Sequence, residues 1–390
     1  MAKLIGNAPN QVPTNADLGS MAFEDKKNYA TTSSPIYQPY RNIIINGDMS
    51  IAQRGTSESG ITGSTFGYFT VDRWRIGVDN IGTWTMSQDT DVPTGQGFAS
   101  SLKLECTTAD ASPSASDALF LNQNFEGQML QYLKKGTANA ESLTLSFWVK
   151  SNKTGTYTIS LDDNDNNRNI VGTYIINSSD TWEKKTLTFE GDTIGAFDND
   201  NNNSLRFYFW LGVGSNYNSG TLATSWENTV TANLVSSSNV NLADSTSNYI
   251  NITGVQLEAG TASDFEFLPY DVNLDRCLRY CYVVGDTPTY GEISRYSNIG
   301  TYYTATQMFT GLDFPVVMRT TPSLTVVGSN PAQAFTTYSS NTARTSTAVG
   351  KDSSSATNIG YVITTSSATQ GDGGIGAWNI GYYGIISAEL

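Results

Sequence analysis

The chain has 390 residues, of which 38% are hydrophobic and 11% aromatic, enough for two or three folded domains with real cores. Only 15% are charged, and the net charge of −14 would repel a phosphate backbone or an anionic bilayer, which argues against nucleic-acid binding and membrane insertion. There is no histidine, so a His-coordinated metal and any Ser–His or Cys–His nucleophile pair are excluded.

Residues 1–40 show neither a helical nor a strand period and hold four of the 11 prolines. Such a segment cannot build a core alone, so it is expected to be an arm that becomes ordered against a partner, with Leu4, Ile5, Leu18, Met21 and Phe23 as scattered apolar anchors. Nothing in the first 30 residues has the basic start and apolar run of a leader, and no later stretch approaches the ~20 apolar residues of a membrane span. The expectation is a soluble product made in the cytoplasm. At Arg41 the pattern changes: RNIIINGDMSI is an apolar run broken by an Asn-Gly turn signal.

The next segments read as strands: SLTLSFWVK (142–150), GTYTISL (155–161), TWEKKTLTFEG (181–191), SLRFYFWLGV (204–213) and YINITGVQLE (249–258). Each alternates or nearly alternates and is rich in Thr, Val, Ile and aromatics. The implied fold class is all-β, a sandwich whose core faces include Leu143, Leu145, Phe147 and Val149, and Leu205, Phe207, Phe209 and Leu211. The opposite faces carry Trp148 on one run and Arg206, Tyr208 and Trp210 on the other.

After Pro269, DVNLDRCLRYC places Leu274, Leu278 and Cys281 at helical spacing, with Asp275 one turn before Arg279. A helix of about three turns is marginal alone, so its stripe must dock on something. Either it packs against its own copies around a threefold axis, or it covers the end of the sandwich within one chain. Cys106, Cys277 and Cys281 are too few for a disulfide framework, and side chains four apart on a helix project in parallel, so free thiols are expected. From 286 to 390 strand-type patterning resumes and ends in AWNIGYYGIISAEL, whose apolar surface also suggests an assembly contact.

Three pieces together, NIIINGDMSI (42–51) with YFTVDRWRI (68–76), LSFWVKS (145–151) and GVQLEAGTASDFEFLPYDVNLDRCLRYC (254–281), resemble the tail-fibre and receptor-binding proteins of tailed bacteriophages. LIGNAPNQVPTNADLGSMAFED (4–25) is similar to leader segments at the virion-proximal end of such fibres. The resemblance implies a jelly-roll like the carbohydrate-binding modules of glycoside hydrolases, followed by the Gln-Leu-Glu-Ala-Gly signature and a short helix. It divides the chain into a virion-attachment arm (1–40), the jelly-roll (41–268), a helical linker (269–285) and a C-terminal β domain (286–390). It further implies a homotrimer on the virion, joined to other phage tail or portal-proximal proteins and binding host-surface glycan. Binding rather than hydrolysis is implied, because no distinctive catalytic neighbour accompanies the module.

Sugars stack their C–H faces on exposed rings and hydrogen-bond to polar side chains, so Trp148, Tyr208 and Trp210 with Arg206 are the candidate glycan contacts if their sheet faces are open; a covering loop or subunit is the competing reading. LDDNDNNRN (161–169) and FDNDNNNS (197–204) are oxygen-rich loops, and Asp163, Asp165 and Asn167 are candidate ligands for a structural calcium. Arg168 stands where an EF-hand requires Gly, so solvated turns are the alternative. No other cofactor is implied. For catalysis only paired carboxylates remain, with Asp162, Asp163, Asp165 and Glu258 as the acidic candidates for a polysaccharide depolymerase. A purely structural head or neck fibre is the remaining alternative.

Overall fold

The computed structural model describes residues 40–287, 289, 291–293 and 298–390. The expected attachment arm, with Leu4, Ile5, Leu18, Met21 and Phe23, lies outside the described residues. Asn42–Leu390 forms one compact unit. Among the described residues no helix is long and apolar enough to cross a membrane.

The first part of this unit is an antiparallel β-sandwich of the jelly-roll kind. Its strands are β1 (Ser57–Gly67), β2 (Arg75–Asp89), β3 (Ser101–Thr108), β4 (Ala118–Glu126), β5 (Leu143–Ser151), β6 (Gly155–Asp163), β7 (Arg168–Ile176), β8 (Glu183–Phe189), β9 (Asn203–Val213), β10 (Glu227–Asn228) and β11 (Tyr249–Ala259). Strand β2 belongs to both layers. Its first half, Arg75–Asp79, pairs with β4 and so joins β10-β7-β6-β9-β4; its second half, Thr83–Asp89, pairs with β3 and so joins β3-β11-β5-β8. The corner between the halves uses left-handed backbone at Asn80 and Gly82, and a Cβ on Gly82 would meet the Thr108 carbonyl oxygen at 2.6 Å.

The alternation in the sequence is realised: Leu143, Leu145, Phe147 and Val149 of β5 and Leu205, Phe207, Phe209 and Leu211 of β9 are all buried between the layers. Phe147 meets Phe209 edge to face across the core, centroids 5.0 Å apart. The Asn-Gly signal also has a physical role. The Asn46 amide donates to the Ile51 and Asp72 carbonyls and accepts from the Ile51 N–H, while Gly47 lies so close to Val255 that a Cβ would sit 2.1 Å from its carbonyl oxygen.

After the sandwich comes helix α2 (Tyr270–Leu278), the second among the described residues after a single turn, α1 (Ser215–Asn218). Its stripe is covered within the chain, which corrects the expectation of an exposed trimer contact. Cys277 and Leu278 are buried, Leu274 packs on a cluster of Ile45, Ile51, Cys277 and Tyr280, and Cys281 is fully buried at the start of the next strand. The loops at the end of the sandwich supply the apolar surface that a short helix requires. Arg279 does not turn to Asp275; its guanidinium makes hydrogen bonds of 2.7 and 2.6 Å to Glu126.

The remainder contains β12 (Cys281–Thr287), β13 (Gly291–Ile293), β14 (Asn298–Tyr302), β15 (Gln307–Asp313), β16 (Ser323–Val327), β17 (Phe335–Ser339), β18 (Thr342–Thr345), β19 (Ala348–Ser354), β20 (Asn358–Thr364), β21 (Gly373–Trp378) and β22 (Tyr383–Ser387). They form a four-stranded sheet, β13-β12-β22-β16, and a seven-stranded sheet, β18-β17-β21-β14-β15-β20-β19, around Tyr302, Met308, Tyr361, Trp378 and Ile386. The closing segment therefore fills a core: β22 pairs on both sides and Ile386 is fully buried. Beyond β22 the chain returns to the sandwich. The Glu389 carboxylate pairs with Arg54 at 3.1 Å and with Arg73, Tyr68 donates to the Leu390 carbonyl at 3.1 Å, and the Asn124 amide donates to it at 2.9 Å. The Arg73 guanidinium is itself fully buried, 3.5 Å from the ring centre of Tyr280.

Candidate functional site: an aromatic and polar strand face

The outward face of the β3-β11-β5-β8 layer is built from the polar half of each alternating strand. Lys150 of β5 stands directly opposite Asn251 of β11, which stands opposite Lys103 of β3; one step along, Trp148 stands opposite Thr253 on one side and Lys184 of β8 on the other. Trp148, Trp182 and Tyr249 on this face are each half-buried, so their bodies are anchored and part of each ring reaches solvent.

Trp182, Tyr249 and their polar neighbours are held by hydrogen bonds. Asp91 accepts from the Trp182 indole at 2.9 Å and from the Lys150 ammonium at 2.6 Å. Burial opposes the charge on Asp91, yet the hydrogen bonds from Lys150 and Trp182 outweigh it and hold the carboxyl below its usual range. Tyr249 donates to Asp180 at 2.5 Å, and burial followed by that carboxylate raises the phenol. Lys103 lies 5.4 Å from the Tyr249 ring centre and pairs with Glu105 at 2.7 Å. Asn251 is fully buried; its amide donates to Ser101 Oγ at 3.0 Å, while its carbonyl oxygen receives no hydrogen bond from the protein. Because Lys103 and Lys150 are each matched by a carboxylate, the arrangement suits a neutral, hydroxyl-rich ligand better than a charged one.

Of the candidate glycan residues, only Trp148 lies here. Arg206, Tyr208 and Trp210 project from β9 on the outer face of the other layer. There the expectation of an open face fails for the two rings: Tyr208 is 7% and Trp210 4% exposed. They stack on one another at 5.2 Å beneath Leu234, Val235 and Tyr217, and the Trp210 indole donates to Ser160 Oγ at 3.0 Å. Segment 214–235 is the cover, and Arg206 beside it stays half-buried. Trp182, Tyr249 and Asp91 were not singled out from the sequence. A signal existed for the first, since Trp182, Lys184, Thr186 and Thr188 continue the same outward alternation that marked Trp148.

The oxygen-rich loops are organised by the protein's own cations. Asp163 is buried and faces the Lys135 ammonium at 2.5 Å, Asp165 accepts the Asp198 N–H at 2.9 Å, and Asn167 is an exposed turn residue with left-handed backbone. Lys135 thus sits where a calcium would neutralise Asp163. Among the described residues no group of three His, Cys, Asp or Glu side chains could hold a metal ion. The acidic residues do not converge either. Asp162 and Asp163 are neighbours on β6 and point to opposite faces, whereas Glu258 lies on β11 in the other layer and is tied to Ser263 by hydrogen bonds of 2.6 and 2.8 Å. Burial raises Asp162 to about 6.

No family model and no curated protein matches the chain. Among solved structures, the enzymatically active domain of bacteriophage CBA120 tailspike protein 4 aligns at 17% identity over 57% of this chain and 22% of that one, with a TM-score of 0.30. A structure described as a sugar-binding protein of Bacteroides thetaiotaomicron aligns at 12% identity over 56% and 99% of the two chains, TM-score 0.31. A family 11 carbohydrate-binding module of Clostridium thermocellum, in complex with a mixed-linked tetrasaccharide, aligns at 9% identity over 54% and 98%, TM-score 0.27.

Proposed function

We propose that this chain is a virion fibre protein of a tailed bacteriophage that binds a neutral host-surface glycan on the Trp148–Trp182–Tyr249 face. The observation that carries the reading is the set of three partly exposed rings on one strand face, two of which, Trp182 and Tyr249, are fixed by hydrogen bonds to Asp91 and Asp180. Rings held this way offer stacking surfaces at little entropic cost. The likeness of 42–51, 68–76, 145–151 and 254–281 to phage fibre proteins supports the virion setting, with the arm at 1–40 as attachment and a homotrimer as the working assembly. Binding rather than cleavage is supported by the separation of Asp162 from Glu258 into different layers.

The test is saturable binding of the full chain to host cells and to a neutral glycan array, alongside the alanine variants of Trp148 and Trp182. Binding that both variants lose while each stays folded is expected. Absence of saturable binding would leave a purely structural fibre, and new reducing ends from host polysaccharide would make the protein a depolymerase; either overturns the reading.

A further inference from the structure

At the open side of the sandwich the edges of the two layers run past each other. Strand β8 ends its layer, and β7 is flanked only by the two residues of β10. Between them lies a groove of about 370 Å³, lined by Gly172 and Thr173 of β7, Leu187 and Thr188 of β8, and Glu190 and Thr224 beyond the strands. That volume falls in the ~300–1,000 Å³ range of ligand sites. The floor is apolar and the rim is polar. Gly172 faces β8 so closely that a Cβ there would meet Leu187 Cδ2 at 2.8 Å and the Phe189 ring at 3.1 Å, so both side chains lie against the β7 backbone. Thr173, Thr188, Glu190 and Thr224 are exposed above them. The end near Glu190 is tied down: the Trp226 indole donates to the Glu190 carbonyl at 2.7 Å, and the Arg168 guanidinium donates to the Trp226 carbonyl at 3.0 Å.

We infer that this groove is a second subsite for the same glycan, so that the ligand is an extended neutral polysaccharide segment laid along β8 and not a single terminal sugar; the inference rests on the glycan reading of the Trp148–Trp182–Tyr249 face. Strand β8 makes the connection. Lys184 stands opposite Trp148 on that face, and Thr188, on the same side of the strand, also lines the groove. Past Lys184 the exposed outward side chains of β8 are the hydroxyls of Thr186 and Thr188. From Trp182 to Thr188 the chain covers about 20 Å at ~3.3 Å per residue, a span that an oligosaccharide bridges and a monosaccharide does not. A sugar ring has apolar C–H faces and a girdle of hydroxyls, and the groove offers Leu187 and Phe189 to the first and its threonines and Glu190 to the second. An acidic polymer would meet Glu190 and a chain of net charge −14. The competing occupant is an extended peptide, which needs unpaired backbone groups along an edge. Here the Val171 N–H already donates to the Ala223 carbonyl at 2.7 Å and the Glu190 carbonyl already accepts from Trp226. Strand β8 also carries the Glu183–Lys185 ion pair, and charges on an edge strand oppose the addition of another strand.

The experiment is calorimetry of the full chain with a size ladder, from disaccharide upward, cut from the neutral host polysaccharide that it binds. Once a fragment spans both places, the second contact is intramolecular, so wild-type affinity should rise by roughly tenfold or more with length. The double variant Thr173→Arg, Thr224→Arg, at two exposed positions, fills the groove; it should keep wild-type affinity for the short fragments and lose the gain with length. Near-ultraviolet circular dichroism and a melting profile show that it stays folded. Ser237→Arg, exposed and outside the groove, should behave as the wild type. Short fragments that bind wild type as tightly as long ones, or a folded double variant that keeps the gain, overturn the inference and leave the glycan reading standing. No binding at any length removes the glycan reading and this inference with it.

Discussion

Arg279, just past the end of helix α2, donates two hydrogen bonds to Glu126, at the end of β4, a residue 153 positions earlier and fully shielded from solvent. Tyr280 and Gln128 donate to the same carboxylate. Burial opposes the charge on Glu126, but these donors outweigh it and keep the carboxyl below its usual range. The pair fixes the helix onto the sandwich.

Replacing Arg279 by alanine leaves a buried carboxylate short of its strongest partner, so the expected loss is about 3 kcal/mol of unfolding free energy at pH 7. A carboxyl held low in the folded state stabilises the fold above its unfolded value and loses that contribution as the pH falls. The difference between wild type and variant should therefore shrink below about pH 4.5. Guanidinium titrations at pH 7 and pH 4 measure both points; an equal gap at the two pH values refutes the assignment.

Asp162 has the opposite sign. Burial raises its carboxyl to about 6, so the folded state binds this proton more tightly than the unfolded one, and stability attributable to this site declines as the pH rises from about 4 to about 6. Asp162→Asn should be more stable than the wild type at pH 7.5, by about 2 kcal/mol, and indistinguishable from it near pH 3.5. Thermal melts across that range check the prediction.

Asp91 joins the Trp182 indole to the Lys150 ammonium. Its replacement by alanine frees both side chains, and the ordering that binding would then impose should weaken glycan affinity roughly tenfold while the β-sandwich remains folded. Calorimetry with the best array ligand compares the two proteins. Unchanged affinity would mean that the preset geometry of this face contributes nothing to binding.

All three cysteines are buried and free, and burial raises each thiol above its usual value. Thiolate is the reactive form, so a disulfide reagent at pH 8 should label none of them in the native protein and three per chain in denaturant. Fast native labelling at Cys277 or Cys281 would show that helix α2 leaves the sandwich.

The sequence made the strand faces legible because inward and outward positions alternate with a period of two, and the buried faces of β5 and β9 fell where that period put them. It did not reveal what lies above an outward face. Tyr208 and Trp210 look as open as Trp148 in sequence, but segment 214–235, which covers them, has no period that would aim it there. The helix was legible as an apolar stripe, whereas its docking partners Ile45 and Ile51 come from a turn more than 200 residues earlier. Arg279 likewise had an acidic neighbour one turn away, and the structure chose the buried Glu126, whose need for a counterion is greater than that of a solvated Asp275.

The contact between Arg73 and Glu389 spans 316 residues of sequence, which gives it a place in time as well as in space. At ~5–20 residues per second, a ribosome needs roughly 15 to 60 s to travel from one to the other. Throughout that interval the nascent sandwich has the position for a buried guanidinium and no acid from the closing segment to neutralise it. Early domains usually fold while later ones are still being made. Here the sandwich around Arg73 depends on a residue made 316 positions later, so ribosome-bound intermediates should keep this end of the sandwich open to protease until Glu389 has emerged.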